Sequence, residues 1–321
     1  MRRAKQMPFV IAPAAGLAML AALMMSVSAC SGGEKIVAPG GNTPSTDTRL
    51  SAADSQYMAN TLINASFDAM KNLRRMPTSS LPGVFQNVPP CTASTTVGGV
   101  DANGNGIPDD KTATYTTTGC AYSSGGANVT VSGSARVQDV GGILGYRVTY
   151  NAYTVTATKG DSVTRTVING SFEYRWASTT SATSSDNSVL VLDVRSSLGS
   201  IVFTRTAAFS GTFTPSAGGS IAANQLFPSG SYAVTGSISV NAVVTGNQVQ
   251  QGFPSTQTLT MNVNTTASLF VNSGCSSDAS FSSGQIAGAV TGSNQGALSV
   301  RFTSCGSGTT TGPGVTGPGK R

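Results

Sequence analysis

The chain has 321 residues, of which 10% are charged and 7% aromatic, and its formal net charge is +6 with no histidine. The lack of histidine excludes Ser-His-Asp and Cys-His catalytic arrangements and histidine zinc sites. No run of Lys or Arg is interleaved with aromatic residues, so we expect no nucleic-acid partner. The length and the many small polar residues favour one large β-rich domain outside the cytoplasm.

The N-terminus has the parts of a bacterial export signal. Its basic segment contains Arg2, Arg3 and Lys5, and residues 9–25 form an apolar run. The run leads into Val27-Ser28-Ala29-Cys30. This motif resembles the lipobox of bacterial lipoproteins, which has an aliphatic residue, two small residues and a cysteine that is lipidated. The alternatives are an ordinary secretory signal with a chance cysteine and an uncleaved membrane helix.

The lipobox resemblance implies that residues 1–29 are removed and that Cys30 becomes the lipidated N-terminus. Two or more acyl chains anchor a protein stably in a membrane. In the family, an aspartate after the cysteine often signals retention in the inner membrane; Ser31 stands there instead, which implies the outer membrane. The protein then faces either the periplasm or the cell surface. Residues 30–47, rich in Gly, Pro, Ser and Thr, predict a flexible tether.

One amphipathic helix is predicted at about residues 51–75. Its apolar residues recur at spacings of three and four, namely Ala59, Leu62, Ile63, Phe67, Met70 and Leu73. Ser51 and Asp54 form a variant capping box, and Pro77 prevents continuation of the helix. We expect the apolar face to pack on a sheet; a helix lying on the membrane is the alternative.

The chain has five cysteines, one of which is Cys30. An even number of remaining cysteines in an exported chain implies two disulfides, for which three connectivities are possible. We expect Cys91 to pair with Cys120, and Cys275 with Cys305, because each pair closes a short, turn-rich loop. A cysteine metal site has little support, since the chain contains no CxxC pair.

Residues 101–110 are rich in Asp, Asn and Gly, and they resemble the calcium loops of dockerins and thrombospondin type 3 repeats. The resemblance implies Ca²⁺ bound by the side chains of Asp101, Asn103, Asn105 and Asp109 and by the carbonyl of Ile107. Thr112 replaces the bidentate Glu of the related EF-hand loop, so the implied affinity is low. Alternatively, the Asn-Gly pairs only form turns.

Residues 128–304 alternate apolar and small polar side chains with the two-residue period of strands. The clearest strands, 231–245 and 257–271, predict a hairpin. Their apolar faces are predicted to carry Tyr232, Val234, Ile238, Val240, Ala242 and Val244 in the first strand and Leu259, Met261, Val263, Ala267 and Leu269 in the second. Further strands are predicted near residues 113–118, 129–138, 145–158, 162–176, 188–196, 201–213 and 284–304, the last as a hairpin. Because one helix cannot cover such a sheet, we expect it to curve.

The predicted fold is mainly β: a large curved antiparallel meander, as a half-barrel, barrel or sandwich, with the N-terminal helix packed on it. Residues 48–305 form this single domain, and residues 306–321 are predicted to be a disordered tail. A Gly-Ser/Thr-bulky motif, as in Gly170-Ser171-Phe172 and Gly211-Thr212-Phe213, predicts bends, bulges or close backbone contacts.

Three side chains of one predicted strand, Phe172, Tyr174 and Trp176, share a face that we expect in the core. The sheet's carboxylates are expected to be solvated, namely Asp139, Asp161, Glu173, Asp186, Asp193 and Asp278. Nothing in their spacing marks two of them as a glycosidase pair.

The sequence therefore favours a non-enzymatic, lipid-anchored cell-envelope protein that requires no cofactor. Its partners are the membrane, through the anchor, and a lipid or other apolar ligand held in the curved sheet. The alternative is a surface adhesion or glycan-binding module with a structural calcium site. A transmembrane β-barrel is a third hypothesis, against which stand the lipid anchor, the cysteines and the lack of aromatic girdles.

Overall fold

The structure is a computed structural model. It describes residues 91–105, 107–197, 199–220, 228–246, 256–275, 281–292, 295–313 and 315–319. The signal segment, Cys30, the tether and the helix at about residues 51–75 lie outside these ranges, so they stay predictions.

The described residues form fourteen strands. Their bounds are β1 Thr95–Gly98, β2 Asp110–Tyr115, β3 Ala121–Ser124, β4 Ala127–Asp139, β5 Leu144–Lys159, β6 Ser162–Ser178, β7 Ser181–Ser196, β8 Gly199–Pro215, β9 Gly230–Gly246, β10 Thr256–Val271, β11 Phe281–Gly292, β12 Gly296–Ser304, β13 Ser307–Gly312 and β14 Val315–Gly319.

All strands belong to one antiparallel sheet, and from β4 to β14 each strand pairs with the next one in the chain. β2 and β3 pair with opposite ends of the same edge of β4. The sheet is open, because β1 and β14 stand at the two ends of the strand order. The predicted mainly-β antiparallel meander is confirmed.

Several strand boundaries differ from those predicted. β7 begins at Ser181, not near residue 188, because its first residues are small and polar on both faces and carry no apolar alternation. Pairing with β6 and β8 holds this segment extended. β13 and β14 lie within residues 306–321, where the sequence predicts a disordered tail. Pairing with β12 and burial of Thr310 hold β13 in place.

One face of the sheet is apolar and buried, and the other carries mainly Ser, Thr and Asn. The predicted faces of β9 and β10 are confirmed, with Tyr232, Val234, Met261 and Leu269 all buried. Ala267 is the exception: it is exposed because the β9–β10 register shifts between Asn264 and Leu269.

The register is interrupted where glycine adopts a positive φ. Gly133 in β4 has φ 92° and lies at a register shift against β5, where Ala152 has φ 47°. A Cβ atom at Gly133 would lie 2.2 Å from the carbonyl oxygen of Ala152. Gly170 of the predicted glycine motif has φ 99° and faces the second shift in β5. Both shifts place two residues of β5 opposite one residue of its neighbour, so they mark one bulge in β5 beside Gly133 and Gly170.

Both predicted cysteine pairs lie at disulfide distance. The Cα atoms of Cys91 and Cys120 are 5.2 Å apart, and those of Cys275 and Cys305 are 5.6 Å apart. The first pair joins the segment before β1 to the break between β2 and β3. The second joins the end of β10 to the turn between β12 and β13.

The two ends of the apolar face differ in burial. The connections from β6 to β7 and from β8 to β9 lie at one end, where Trp176, Phe213 and Tyr232 are at most 1% exposed. The turn from β7 to β8 lies at the opposite end, where Leu192 and Phe203 are only half-buried. The accessible apolar surface of the face is therefore at this second end.

Candidate functional site

Four polar side chains interrupt the apolar face between its two ends. Ser184, Asp186 and Ser188 of β7 are 3%, 7% and 2% exposed, and Arg205 of β8 is half-buried. Alternate residues of a strand point to one face, and Asp186 pairs with the core residue Phe209. We call these four polar residues the polar stripe.

Asp186 and Arg205 form a loose ion pair within the stripe. Arg205 Nη2 lies 3.5 Å from Asp186 Oδ2 and donates a weak hydrogen bond of 3.4 Å to Ser188 Oγ. The Ser188 hydroxyl in turn donates to Asp186 Oδ1. A buried charge without a partner is costly, so each member of the pair makes burial of the other tolerable.

Burial raises the pKa of the Asp186 carboxyl above its ordinary value. The charge of Arg205 and the hydrogen bonds of Ser188 act in the opposite direction and offset this effect only in part. Asp186 therefore gains a proton at a higher pH than a solvated aspartate.

Beside the stripe lies a patch of six residues, two on each of three strands. We call it the amphipathic patch: Thr166 and Ile168 of β6, Leu190 and Leu192 of β7, and Phe203 and Arg205 of β8. One row pairs Thr166 with Leu192 and Leu192 with Phe203; the next pairs Ile168 with Leu190 and Leu190 with Arg205. The four apolar members are half-buried. Thr166 and Arg205 occupy opposite corners.

Both corners carry a buried polar atom for which no described residue supplies a hydrogen bond. Thr166 Oγ1 and Arg205 Nε have no hydrogen-bond partner among the described residues. Thr166 is 7% exposed. Leaving such a group unpaired costs about 1 to 3 kcal/mol, so polar atoms of this kind are rare in a packed interior. Two further atoms of this kind, Tyr146 Oη and Thr310 Oγ1, belong to fully buried residues. What distinguishes the patch is that its unsatisfied polar atoms adjoin accessible apolar surface.

The aromatic face predicted in β6 is part of the core at two of its three positions. Tyr174 and Trp176 are 5% and 1% exposed, while Phe172 is half-buried beside Tyr150, with ring centroids 6.1 Å apart. Glu173 points to the opposite face.

The predicted calcium residues lie in the loop between β1 and β2. The structure brings three of them together through turn-type hydrogen bonds. The backbone N–H of Asn105 donates to Asn103 Oδ1 at 3.0 Å and to Asp101 Oδ1 at 3.2 Å, and that of Ile107 donates to Asn105 Oδ1 at 2.8 Å. Ile107 is 3% exposed and joins the core. Asp109 is exposed, and its backbone N–H bonds the carbonyl of Val100.

Asp139, at the end of β4, completes this loop and was absent from the predicted ligand set. Its Oδ2 accepts hydrogen bonds from the side-chain amides of Asn103 and Asn105 at 2.7 and 2.8 Å. The described residues contain no group of three or more His, Cys, Asp or Glu side chains placed to hold a metal ion. The calcium site therefore stays a prediction.

The expectation that every sheet carboxylate is solvated is wrong for two of them. Asp186 and Asp193 are 7% and 8% exposed. Asp193 lies on the polar face and pairs with Arg195 at 2.7 Å. Sequence reasoning missed Asp186 because the start of β7 carries no apolar alternation. Its position follows from the pairing of β7 with β6, in which Asp186 lies opposite Phe172.

Within the described ranges, no helix has the length and apolar character needed to cross a membrane. Comparison with known proteins finds no matching family model, no matching curated protein and no matching solved structure.

Proposed function

We propose that this protein is a non-enzymatic, lipid-anchored protein of the cell envelope whose sheet binds an apolar ligand on the amphipathic patch. One observation carries the proposal: half-buried apolar side chains adjoin two buried polar atoms, Thr166 Oγ1 and Arg205 Nε, that have no hydrogen-bond partner in the described part of the chain. Ligand sites are typically apolar surfaces with a few well-placed polar groups. Covering the patch gains about 25 cal/mol for each Å² of apolar surface removed from water.

We further propose that the sheet curves around this face and that the predicted helix at about residues 51–75 covers part of it. The bulge in β5 beside Gly133 and Gly170 supports the curvature, because a bulge bends its strand and increases the local twist. A curved sheet presents the patch as a concave surface suited to an elongated ligand.

A non-enzymatic role is supported by the environment of the buried carboxylates. Asp186 faces Arg205, and Asp193 faces Arg195. Hydrolysis of the glycosidase type requires two carboxylates facing one substrate bond, and each of these carboxylates has an arginine as its partner.

The location at the outer membrane is supported by the lipobox that ends in Cys30. The proposal predicts that labelled palmitate is incorporated into the protein in growing cells and that Cys30→Ala abolishes the label. Incorporation that survives this substitution would contradict anchoring at Cys30.

Native mass spectrometry of the protein purified from its own membrane tests ligand binding. We expect the wild type to carry a lipid and Leu190→Gln/Leu192→Gln to lose it. Val189→Gln/Val191→Gln is the matched control, because these valines lie on the opposite face of the same strand. Wild-type protein that carries no lipid in any preparation contradicts the proposal.

A second candidate is a surface adhesion or glycan-binding module with a structural calcium site. It is supported by the loop that Asp139 closes and by the Ser, Thr and Asn side chains of the polar face. Protease treatment of intact cells separates the candidates, because a surface module is cleaved and a periplasmic protein is shielded.

A further inference from the structure

We infer that the ligand is a neutral acyl ester or amide lipid whose carbonyl oxygen accepts a hydrogen bond from Arg205 Nε. This inference rests on the proposed binding function and names the class of molecule that the amphipathic patch takes.

The unpaired polar atom, Arg205 Nε, is a donor, so its partner in the ligand must be a hydrogen-bond acceptor. The guanidinium group of arginine has only donors, and its Nε–H points in a fixed direction from the side chain. In Arg205 the Nη2 atom contacts Asp186 and Ser188, whereas the buried Nε has no partner among the described residues. A carbonyl oxygen is the acceptor that a lipid offers at the boundary of its apolar chain.

Charge at the site favours a neutral acceptor. Asp186 Oδ2 lies 3.5 Å from Arg205 Nη2, so the positive charge already has a buried counter-ion. A fatty-acid carboxylate on Arg205 would stand close to Asp186, and two like charges in a medium of low dielectric constant repel strongly. An ester or amide carbonyl makes the same hydrogen bond without adding a second negative charge.

The width of the patch suits an acyl chain. Two rows on three strands cover about 10 Å by 7 Å, which is wide enough for one or two hydrocarbon chains side by side and covers the part of the chain next to the carbonyl group. The surface between the polar corners is entirely aliphatic or aromatic: Ile168, Leu190, Leu192 and Phe203. It has no charged side chain to exclude an alkyl chain.

The test compares three probes of equal chain length: methyl palmitate, palmitate and hexadecane. Each displaces a fluorescent alkyl probe from the full mature chain, freed of bound lipid and held in detergent. Wild-type protein should bind methyl palmitate about tenfold to a hundredfold more tightly than hexadecane, the range for a hydrogen bond to a charged group. It should also bind methyl palmitate more tightly than palmitate at pH 7.

The double variant Asp186→Asn/Arg205→Met removes the donor without leaving a buried charge unpaired. It should lose the preference for the ester and bind hexadecane as the wild type does. Arg147→Met/Glu173→Gln is the matched control, because it removes an ion pair on the opposite face of the sheet, outside the patch, and should keep the preference.

Each outcome separates the two proposals. Equal binding of ester and hydrocarbon by wild-type protein overturns the ester assignment and leaves the apolar site standing. Tighter binding of palmitate than of its ester also overturns it, in favour of an anionic ligand. Failure of the wild type to bind any of the three probes overturns the proposed function itself. The wild-type comparison needs no variant, so misfolding of the double variant does not obscure the result.

Discussion

The hydroxyl groups of Tyr232 and Ser184 form a 2.8 Å hydrogen bond across the strand that separates them. Tyr232 belongs to β9 and Ser184 to β7, and Gly211 of β8 lies between them, paired with Ser184. A Cβ atom at Gly211 would lie 1.9 Å from the Tyr232 hydroxyl oxygen. Because Gly211 has no side chain, the Tyr232 ring can lie over β8 and reach Ser184.

Gly211→Ala should destabilise the protein by about 2 to 4 kcal/mol, because the added methyl group overpacks the core and displaces a buried hydrogen bond. Urea unfolding followed by far-UV circular dichroism measures the loss as a lower midpoint. Ser210→Ala on the exposed face of the same strand is the control, with an expected change within about 0.5 kcal/mol. Equal midpoints for the two variants would show that Tyr232 moves away freely.

Burial raises the pKa of the Tyr232 phenol from 10.0 to about 12, although the bond with Ser184 acts in the opposite direction. The unfolded chain loses this proton near its ordinary pKa, so between about pH 10 and 12 the unfolded state binds fewer protons than the folded one. The free energy of unfolding should therefore fall as the pH rises through this window.

Tyr232→Phe should remove the part of this alkaline fall in the free energy of unfolding that comes from the Tyr232 phenol. Unfolding midpoints measured at pH 9, 10, 11 and 12 test this expectation. A wild-type slope that the substitution leaves unchanged would mean that other tyrosines account for it, among them the buried Tyr146, whose pKa burial also raises.

Arg205→Met should destabilise the protein by about 3 to 5 kcal/mol, since it leaves the Asp186 carboxylate buried without its counter-ion. Asp186→Asn/Arg205→Met should regain most of that loss, because neither charge remains. The two single variants, the double variant and the wild type form a double-mutant cycle for chemical denaturation. Removing the half-exposed pair Arg147–Glu173 on the opposite face should cost much less. An additive cycle for Asp186 and Arg205 would contradict the ion pair.

The bulge at Ala152 of β5 and the glycine that faces it, Gly133 of β4, predict different responses to the loss and the gain of one methyl group. Gly133→Ala should cost at least about 2 kcal/mol, because its Cβ meets the backbone of Ala152 and its φ is 92°. Ala152→Gly should stay within about 0.5 kcal/mol of the wild type, since relief of a left-handed conformation offsets the entropy of glycine. Thermal unfolding measures both, and a harmless Gly133→Ala would contradict the bulge geometry.

The loop between β1 and β2 predicts a weak response to calcium. Asp101 and Asp139 supply carboxylates around the Asn103 and Asn105 side chains, and the bidentate Glu of an EF-hand is absent. Calcium at about ten times its Kd should stabilise the fold by about 1.4 kcal/mol. The Tm of the wild type should rise when millimolar Ca²⁺ is added and fall back to its original value when a chelator is added. Asp101→Asn should abolish the rise. An unchanged wild-type Tm would leave the loop as a hydrogen-bonded turn.

Two-residue periodicity was enough to predict the meander, the β9–β10 hairpin and which side chains of β9 face the core. It failed where both faces carry small polar residues, as in Ser181–Asn187, because a strand there is held by its neighbours and has no pattern of its own. The same cause explains β13, whose glycines and threonines carry no apolar alternation but pair with β12.

The polar stripe depends on register, which the sequence does not specify locally. Arg205 and Asp186 are far apart in the chain and meet only because β7 and β8 pair with Ser188 opposite Ala207. A shift of one residue would turn either side chain to the opposite face. The glycine motif, in contrast, pointed to close contacts that the structure contains, with the backbone of Asn187 at Gly170 and with the Tyr232 side chain at Gly211.

Photo-crosslinking tests the central claim, ligand binding on the amphipathic patch, most directly. The full mature chain is irradiated with a palmitate methyl ester that carries a diazirine on its chain, and the labelled peptides are mapped by mass spectrometry. We expect the label on Leu190, Leu192 and Phe203, with an excess of unlabelled ester suppressing it. Labelling confined to Val189 and Val191 on the opposite face, or labelling that excess ester does not reduce, would contradict the account.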